Sequence, residues 1–206
     1  MPEPNQPGYQ RYVEGAIMEV ATALGGRTMA LFTSYSQLQA TAKAIEPALA
    51  KAGIAILAQT EGTSRQQLLQ QFKSDDGHDD SQAVLLGTRS FWEGVDVPGT
   101  ALQAVLIVKF PFDVPSDPIF SARSETFDNP FFEYSIPEAV LRFRQGFGRL
   151  IRRQDDQGVV VVLDKRILSK RYGQAFLEAL PECTILRQRI DRLGELTLRW
   201  LNRDRG

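Results

Sequence analysis

Five short, almost wholly apolar runs set the strongest limit on how this chain folds. They lie at residues 28–33 (TMALFT), 54–58 (IAILA), 83–87 (AVLLG), 103–109 (QAVLIVK) and 158–164 (GVVVVLD). A strand that faces water on one side alternates apolar and polar residues, whereas a continuous apolar run suits a strand covered on both faces. The stretches between them carry helical periodicity. Val13, Ile17, Val20 and Leu24 form one stripe, ended by Gly25 and Gly26. Leu38, Ile45 and Leu49 form a second, closing at Gly53 with Pro47 as a kink. Leu68, Leu69 and Phe72 form a third, behind the capping pair Thr63 and Gln66. Further helices are expected around 170–179 and 188–201. Apolar strands alternating with helices predict an α/β fold with a mostly parallel sheet covered on both sides. In such sheets ligands sit outside the carboxyl ends of the strands. The loops at 34–36, 59–62, 88–99, 110–118 and 164–168 therefore share one rim.

The 206 residues suffice for one well-cored domain, read as 9–206, behind a proline-rich lead-in at 1–8 that reads as a linker or a cut edge. A net charge of −1 excludes a global basic field, so any nucleic-acid contact must come from local patches. The single cysteine, Cys183, excludes an internal disulfide and any four-cysteine metal or iron–sulfur site within the chain. Its neighbours Glu182, Thr184 and Ile185 suggest packing near a strand rather than a reactive thiol. His78 stands among four aspartates in the acidic run 74–81, which reads as a solvated loop rather than a metal site. No apolar run approaches about 18 residues and no signal peptide opens the chain, so a cytoplasmic protein without membrane contact is expected.

Two segments carry the chemistry. Residues 145–153 (QGFGRLIRR) continue a helix opened by Ser135 and Glu138, which gathers Val140, Phe143, Phe147, Leu150 and Ile151 on one side. Gln145, Arg149 and Arg152 gather on the other, where guanidinium forks match phosphate oxygens. Gly146 and Gly148 each cost about 1 kcal/mol in a helix interior, which points to close backbone approach there. Residues 87–99 (GTRSFWEGVDVPG) directly follow a strand. Their backbone N–H groups and the Thr88 and Ser90 hydroxyls suit phosphate oxygens. Asp96 suits a ribose hydroxyl or a turn cap. Trp92 suits a base or the core, the core being the commoner fate. In 110–118, Asp117 caps a helix with Pro118 at its first position.

Taken with 31–35 (LFTSY), the QTEGTSR turn, FPFDVPSDP and LDKR before Tyr172 and Gly173, these segments resemble the C-terminal helicase domain of DinG-type proteins. That family lies in the XPD-like branch of superfamily 2 helicases, and the likeness runs over residues 10–182. It implies the second RecA-like domain of a two-domain motor, a three-layer α/β/α fold, with ATP in the cleft between the two domains. By the same resemblance Arg149 and Arg152 are arginine fingers, and Gln145 positions them or the attacking water. Glu93, Gly94 and Asp96 line the nucleotide edge, and Ser34, Thr88, Arg89 and Ser90 contact single-stranded DNA. The chain has no G-x-x-x-x-G-K-[ST] loop and no Asp-Glu-x-His box. ATP and Mg²⁺ are therefore expected to be held mainly by an N-terminal motor domain, and this chain alone is expected to be inactive. An iron–sulfur cluster, where present, belongs to that other half. Two alternatives stand beside this: a free-standing RecA-like module that binds nucleic acid or protein, and an unrelated nucleotide-binding α/β enzyme. The last is weakest, because no Gly-rich strand–helix loop opens the sheet.

Overall fold

A computed structural model describes residues 1–60, 62–73, 82–92, 101–114, 116–148, 150 and 157–203. Its centre is a sheet of five strands: β1 (Thr28–Leu31), β2 (Ala55–Ala58), β3 (Ala83–Gly87), β4 (Ala104–Ile107) and β5 (Val159–Val162). The order is β2-β3-β1-β4-β5 and every neighbouring pair is parallel, with Thr28 opposite both Val84 and Ala104. Successive side chains leave opposite faces of a strand. Met29, Leu31, Leu85, Val105 and Ile107 enter one core, while Ala30, Phe32, Val84, Leu86 and Leu106 enter the other.

The second of these cores is covered by α1 (Tyr9–Leu24), α2 (Tyr35–Lys51) and α9 (Leu193–Leu201). The first is covered by α3 (Arg65–Lys73), α4 (Arg89–Trp92), α6 (Ile136–Phe147) and α8 (Gly173–Glu178). Two short helices, α5 (Pro118–Ser124) and α7 (Arg166–Ser169), lie in the connections. The result is the expected three-layer α/β/α arrangement, and its sheet is parallel throughout.

Local chemistry explains several boundaries. Ser34 caps α2 by accepting from the Gln37 N–H at 3.4 Å, and Pro47 is accommodated inside that helix. Asp117 caps α5, accepting from Ile119 and Phe120 at 2.9 and 3.0 Å with Pro118 next in the chain.

Other expectations are corrected. Part of the run read as a loop at 88–99 forms α4. Ser135 does not cap α6: it has helical angles (φ −64°, ψ −43°) because a π-helical turn, Phe131–Ser135, leads into the helix. Its hydroxyl bonds the Pro130 carbonyl at 3.3 Å instead. The last helix opens with a 3₁₀ turn, Ile190–Arg192. Cys183 is exposed in irregular backbone, and the partial burial of its thiol raises the pKa. The lead-in lies against the domain: Met1 packs on the core, Glu3 accepts from the Ser169 hydroxyl at 2.5 Å, and Asn5 accepts from Lys109 at 3.4 Å. Among the described residues no helix is long and apolar enough to cross a membrane.

Candidate functional site

Because all five strands are parallel, the segments that follow them emerge at one edge, and hydrogen bonds sew them together. From β2, the Gln59 Oε1 accepts from both the backbone N–H and the hydroxyl of Thr88, each at 2.8 Å. Its Nε2 donates to Ser90 Oγ at 3.1 Å. After β3, the Trp92 indole N–H donates to the Phe32 carbonyl beyond β1 at 3.2 Å. Arg89 meets Asp113, beyond β4, at 3.1 Å. Between β4 and β5, the Phe110 N–H donates to Asp164 at 2.9 Å, and the Tyr9 hydroxyl shares its proton between the Val108 and Leu163 carbonyls.

The predicted contact residues thus divide. Thr88 and Ser90 are joined through Gln59; Thr88 is 7% exposed, whereas Ser90 is exposed. Arg89 leaves 66% of its side chain in solvent but leans on Asp113, which also holds Arg142 at 2.7 Å. Ser34 stands apart from them. It faces an open cleft of about 650 Å³ with Tyr9, Gln10, Ser36, Gln37 and Lys109. Its hydroxyl lies 2.9 Å from that of Ser36. Burial, together with the like charge of Arg166, lowers the Lys109 ammonium pKa against the pull of Asp164.

Helix α6 is the other half of the site. Its buried line runs through Ile136, Ala139, Phe143 and Gly146, while Val140 and Phe147 are only half-buried at its flanks. The expected stripe is therefore rotated toward Gly146. A Cβ at Gly146 would sit 2.8 and 2.9 Å from two ring carbons of Trp92, so the glycine allows the helix backbone onto the indole. Trp92 is 2% exposed and belongs to the core, not to a free stacking surface. The helix ends at Phe147, with Gly148 as its C-cap. On the next face Gln145 is half-buried, and its Oε1 is enclosed with no hydrogen-bond partner among the described residues. Arg149, Arg152, Glu93, Gly94 and Asp96 lie outside the described residues, as does the His78 loop.

Three structural groups escaped the sequence reading. Asp164, fully buried, accepts from Phe110 and, through both oxygens, from the Arg166 guanidinium, with the shortest bond at 2.6 Å. Arg166 also lies 5.6 Å from the ring centres of Phe110 and Phe112. Asp113 bridges two arginines. Gln59 organises the hydroxyl pair. Each lies in a segment that carries the family resemblance, QTEGTSR, FPFDVPSDP and LDKR, but none of them had a role legible in the sequence, because their partners come from other segments of the chain. Among the described residues no three His, Cys, Asp or Glu side chains gather where they could hold a metal ion.

The helicase C-terminal domain pattern matches residues 17–183, most of the chain. The chain belongs to the helicase C-terminal domain family. This helicase C-terminal domain is 40% identical over 185 residues to the ATP-dependent DNA helicase YoaA of Escherichia coli, covering 88% of the chain and 28% of that protein. It is 38% identical over 182 residues to the ATP-dependent DNA helicase DinG of Photobacterium profundum, covering 85% and 26%. It is 42% identical over 164 residues to the 3′-5′ exonuclease DinG of Bacillus subtilis, covering 77% and 17%. The helicase C-terminal domain thus spans less than a third of each of these relatives.

Proposed function

We propose that this chain is the second motor domain of an ATP-dependent DNA helicase of the DinG type. The observation that carries the reading is the family match from 17 to 183, which takes in the rim loops and α6 together. In this reading an N-terminal RecA-like domain of the same protein holds ATP and Mg²⁺ and closes against α6. ATP supplies the phosphoryl group that is transferred to water. Arg149 and Arg152 meet the charge that spreads over the equatorial oxygens in the loose transition state of that transfer. Gln145, half-buried on α6, positions these arginines or the attacking water. Glu93, Gly94 and Asp96 complete the nucleotide edge.

Single-stranded DNA runs along the strand-end rim, its phosphates passing the segments that carry Ser34, Thr88, Arg89 and Ser90. The link between the two faces is short. Helix α4 carries Ser90 near its start and ends at Trp92, against which Gly146 packs. Closure of the cleft on α6 therefore bears directly on the segment that touches DNA. In the full-length protein, Arg149→Ala or Arg152→Ala is expected to lower DNA-stimulated ATP turnover by about 10³-fold, with the domain still folded. Normal turnover in both variants overturns the assignment.

A further inference from the structure

The hydrogen bonds around Gln59 fix which hydroxyl on the rim offers a proton outward. A backbone N–H is an obligate donor, so the Gln59 atom facing Thr88 N must be the amide oxygen. That oxygen also takes the Thr88 hydroxyl proton at 2.8 Å. Thr88 is then left with lone pairs only, and a phosphate oxygen, itself an acceptor, gains no hydrogen bond from it. The other end of the amide is NH₂, which donates to Ser90 Oγ at 3.1 Å. Ser90 must therefore accept, and its own proton points elsewhere; no acceptor among the described residues takes it. Gln59 is itself held by its backbone, with its N–H on the Leu86 carbonyl at 3.0 Å and its carbonyl receiving the Gln39 amide at 3.1 Å.

We propose that Gln59 is the positioning residue that makes Ser90, and not Thr88, the hydroxyl donor to a phosphate on this rim. The inference rests on the nucleic-acid reading above and adds a proton order to it. Gln59 touches no phosphate; it acts by turning the Ser90 O–H outward.

The test is a double-mutant cycle on the chain, read as anisotropy of a fluorescein-labelled oligothymidylate over a series of salt concentrations. Ser90→Ala is expected to weaken binding about tenfold, the low end for a hydrogen bond to a charged acceptor. Ser90→Thr, which keeps the hydroxyl, is expected to stay within about twofold of the wild type. Gln59→Glu keeps an acceptor for both Thr88 donors, so the fold is retained. Its second oxygen accepts rather than donates, and draws the Ser90 proton inward. Binding weakens, and adding Ser90→Ala then costs no more than about twofold. A purely structural Gln59, or one acting only through its new charge, leaves the tenfold cost of Ser90→Ala intact in the Gln59→Glu background. That result overturns the positioning role and spares the nucleic-acid reading. Binding by Ser90→Ala as tight as the wild type's also overturns it. A wild-type chain with no salt-dependent binding overturns the nucleic-acid reading and the inference together.

Discussion

Gly146→Ala is expected to destabilise this domain, although the same exchange in an ordinary helix stabilises it. Helix propensity alone favours Ala by about 1 kcal/mol. At Gly146 the added Cβ would stand 2.8 and 2.9 Å from Cε3 and Cζ3 of Trp92 and 3.3 Å from Cδ1 of Leu31. Carbon atoms pack best at about 3.5–4.0 Å, so the indole must withdraw by on the order of 0.7 Å. It has little room. Trp92 is 2% exposed, Leu31 is fully buried, and the indole N–H is tethered to the Phe32 carbonyl at 3.2 Å. Overpacking of this kind costs about 1–3 kcal/mol, and the tether favours the upper half. The net loss is about 1–2 kcal/mol, or a fall in Tm of about 2–8 °C for a domain of this size. Gly148→Ala is the internal control. Gly148 has ordinary helical angles (φ −66°, ψ 0°), and among the described residues its added Cβ would come no nearer than 3.4 Å, to the Arg144 carbonyl oxygen. Its variant is expected to melt at or slightly above the wild-type temperature. Thermal and urea melts of the three proteins decide the matter: equal shifts in the two variants, or a Gly146→Ala protein at or above the wild-type Tm, refute the packing argument.

Three further outcomes follow from the rim. Asp164→Ala removes a fully buried carboxylate that serves Phe110 and Arg166; it should cost about 3–5 kcal/mol in urea unfolding, and a loss under about 1 kcal/mol would show that the clamp is not needed. Burial and the neighbouring Asp164 charge raise the Tyr9 pKa above its ordinary value. The folded state then holds the phenol proton more tightly than the unfolded chain. This contribution is fully present below about pH 10 and is lost as pH rises through the folded value. Tyr9→Phe should be less stable at neutral pH, because the Val108 and Leu163 carbonyls lose their donor, yet its stability should fall less steeply in alkali; parallel slopes would contradict this. Ser34→Ala removes a long cap bond and should cost about 0.5–1 kcal/mol in thermal melts, and a loss above about 2 kcal/mol would mean that Ser34 does more than cap α2.

The sheet was legible in the sequence because its evidence is redundant. Each apolar run excludes a half-solvated strand on its own, and five of them interrupted by helical stripes leave few layer arrangements. Residues 83–87 match β3 at both ends, since Gln82 and Thr88 bound an unbroken apolar stretch. The cap at Asp117 was equally readable, being local chemistry between residues three apart or fewer. What failed depended on distance. The π-helical turn before α6 has no residue-type signature, so Ser135 followed by Glu138 reads as an N-cap although its backbone is already helical. The buried line of α6 was rotated because Gly146 carries no side chain to count as apolar, yet it is the point of closest approach to Trp92. The tight backbone approach was read correctly at Gly146, but the partner was not.

The Gln59 network shows why a list of hydroxyls is not yet a binding site. Thr88 and Ser90 are two residues apart and chemically alike, and the sequence gives them the same role. Their protons are assigned by a third residue, 29 positions before Thr88, which meets them only because β2 and β3 are neighbours in parallel register. The same topology places Trp92 between the hydroxyl pair and α6, so one four-residue helix answers to both faces. A substitution in α4 or at Gly146 that shifts the indole should therefore move Ser90 as well. On the motor-domain reading proposed above, DNA affinity and ATP turnover are then expected to change together in such variants, and separately in Ser90→Ala, where the loss is confined to DNA.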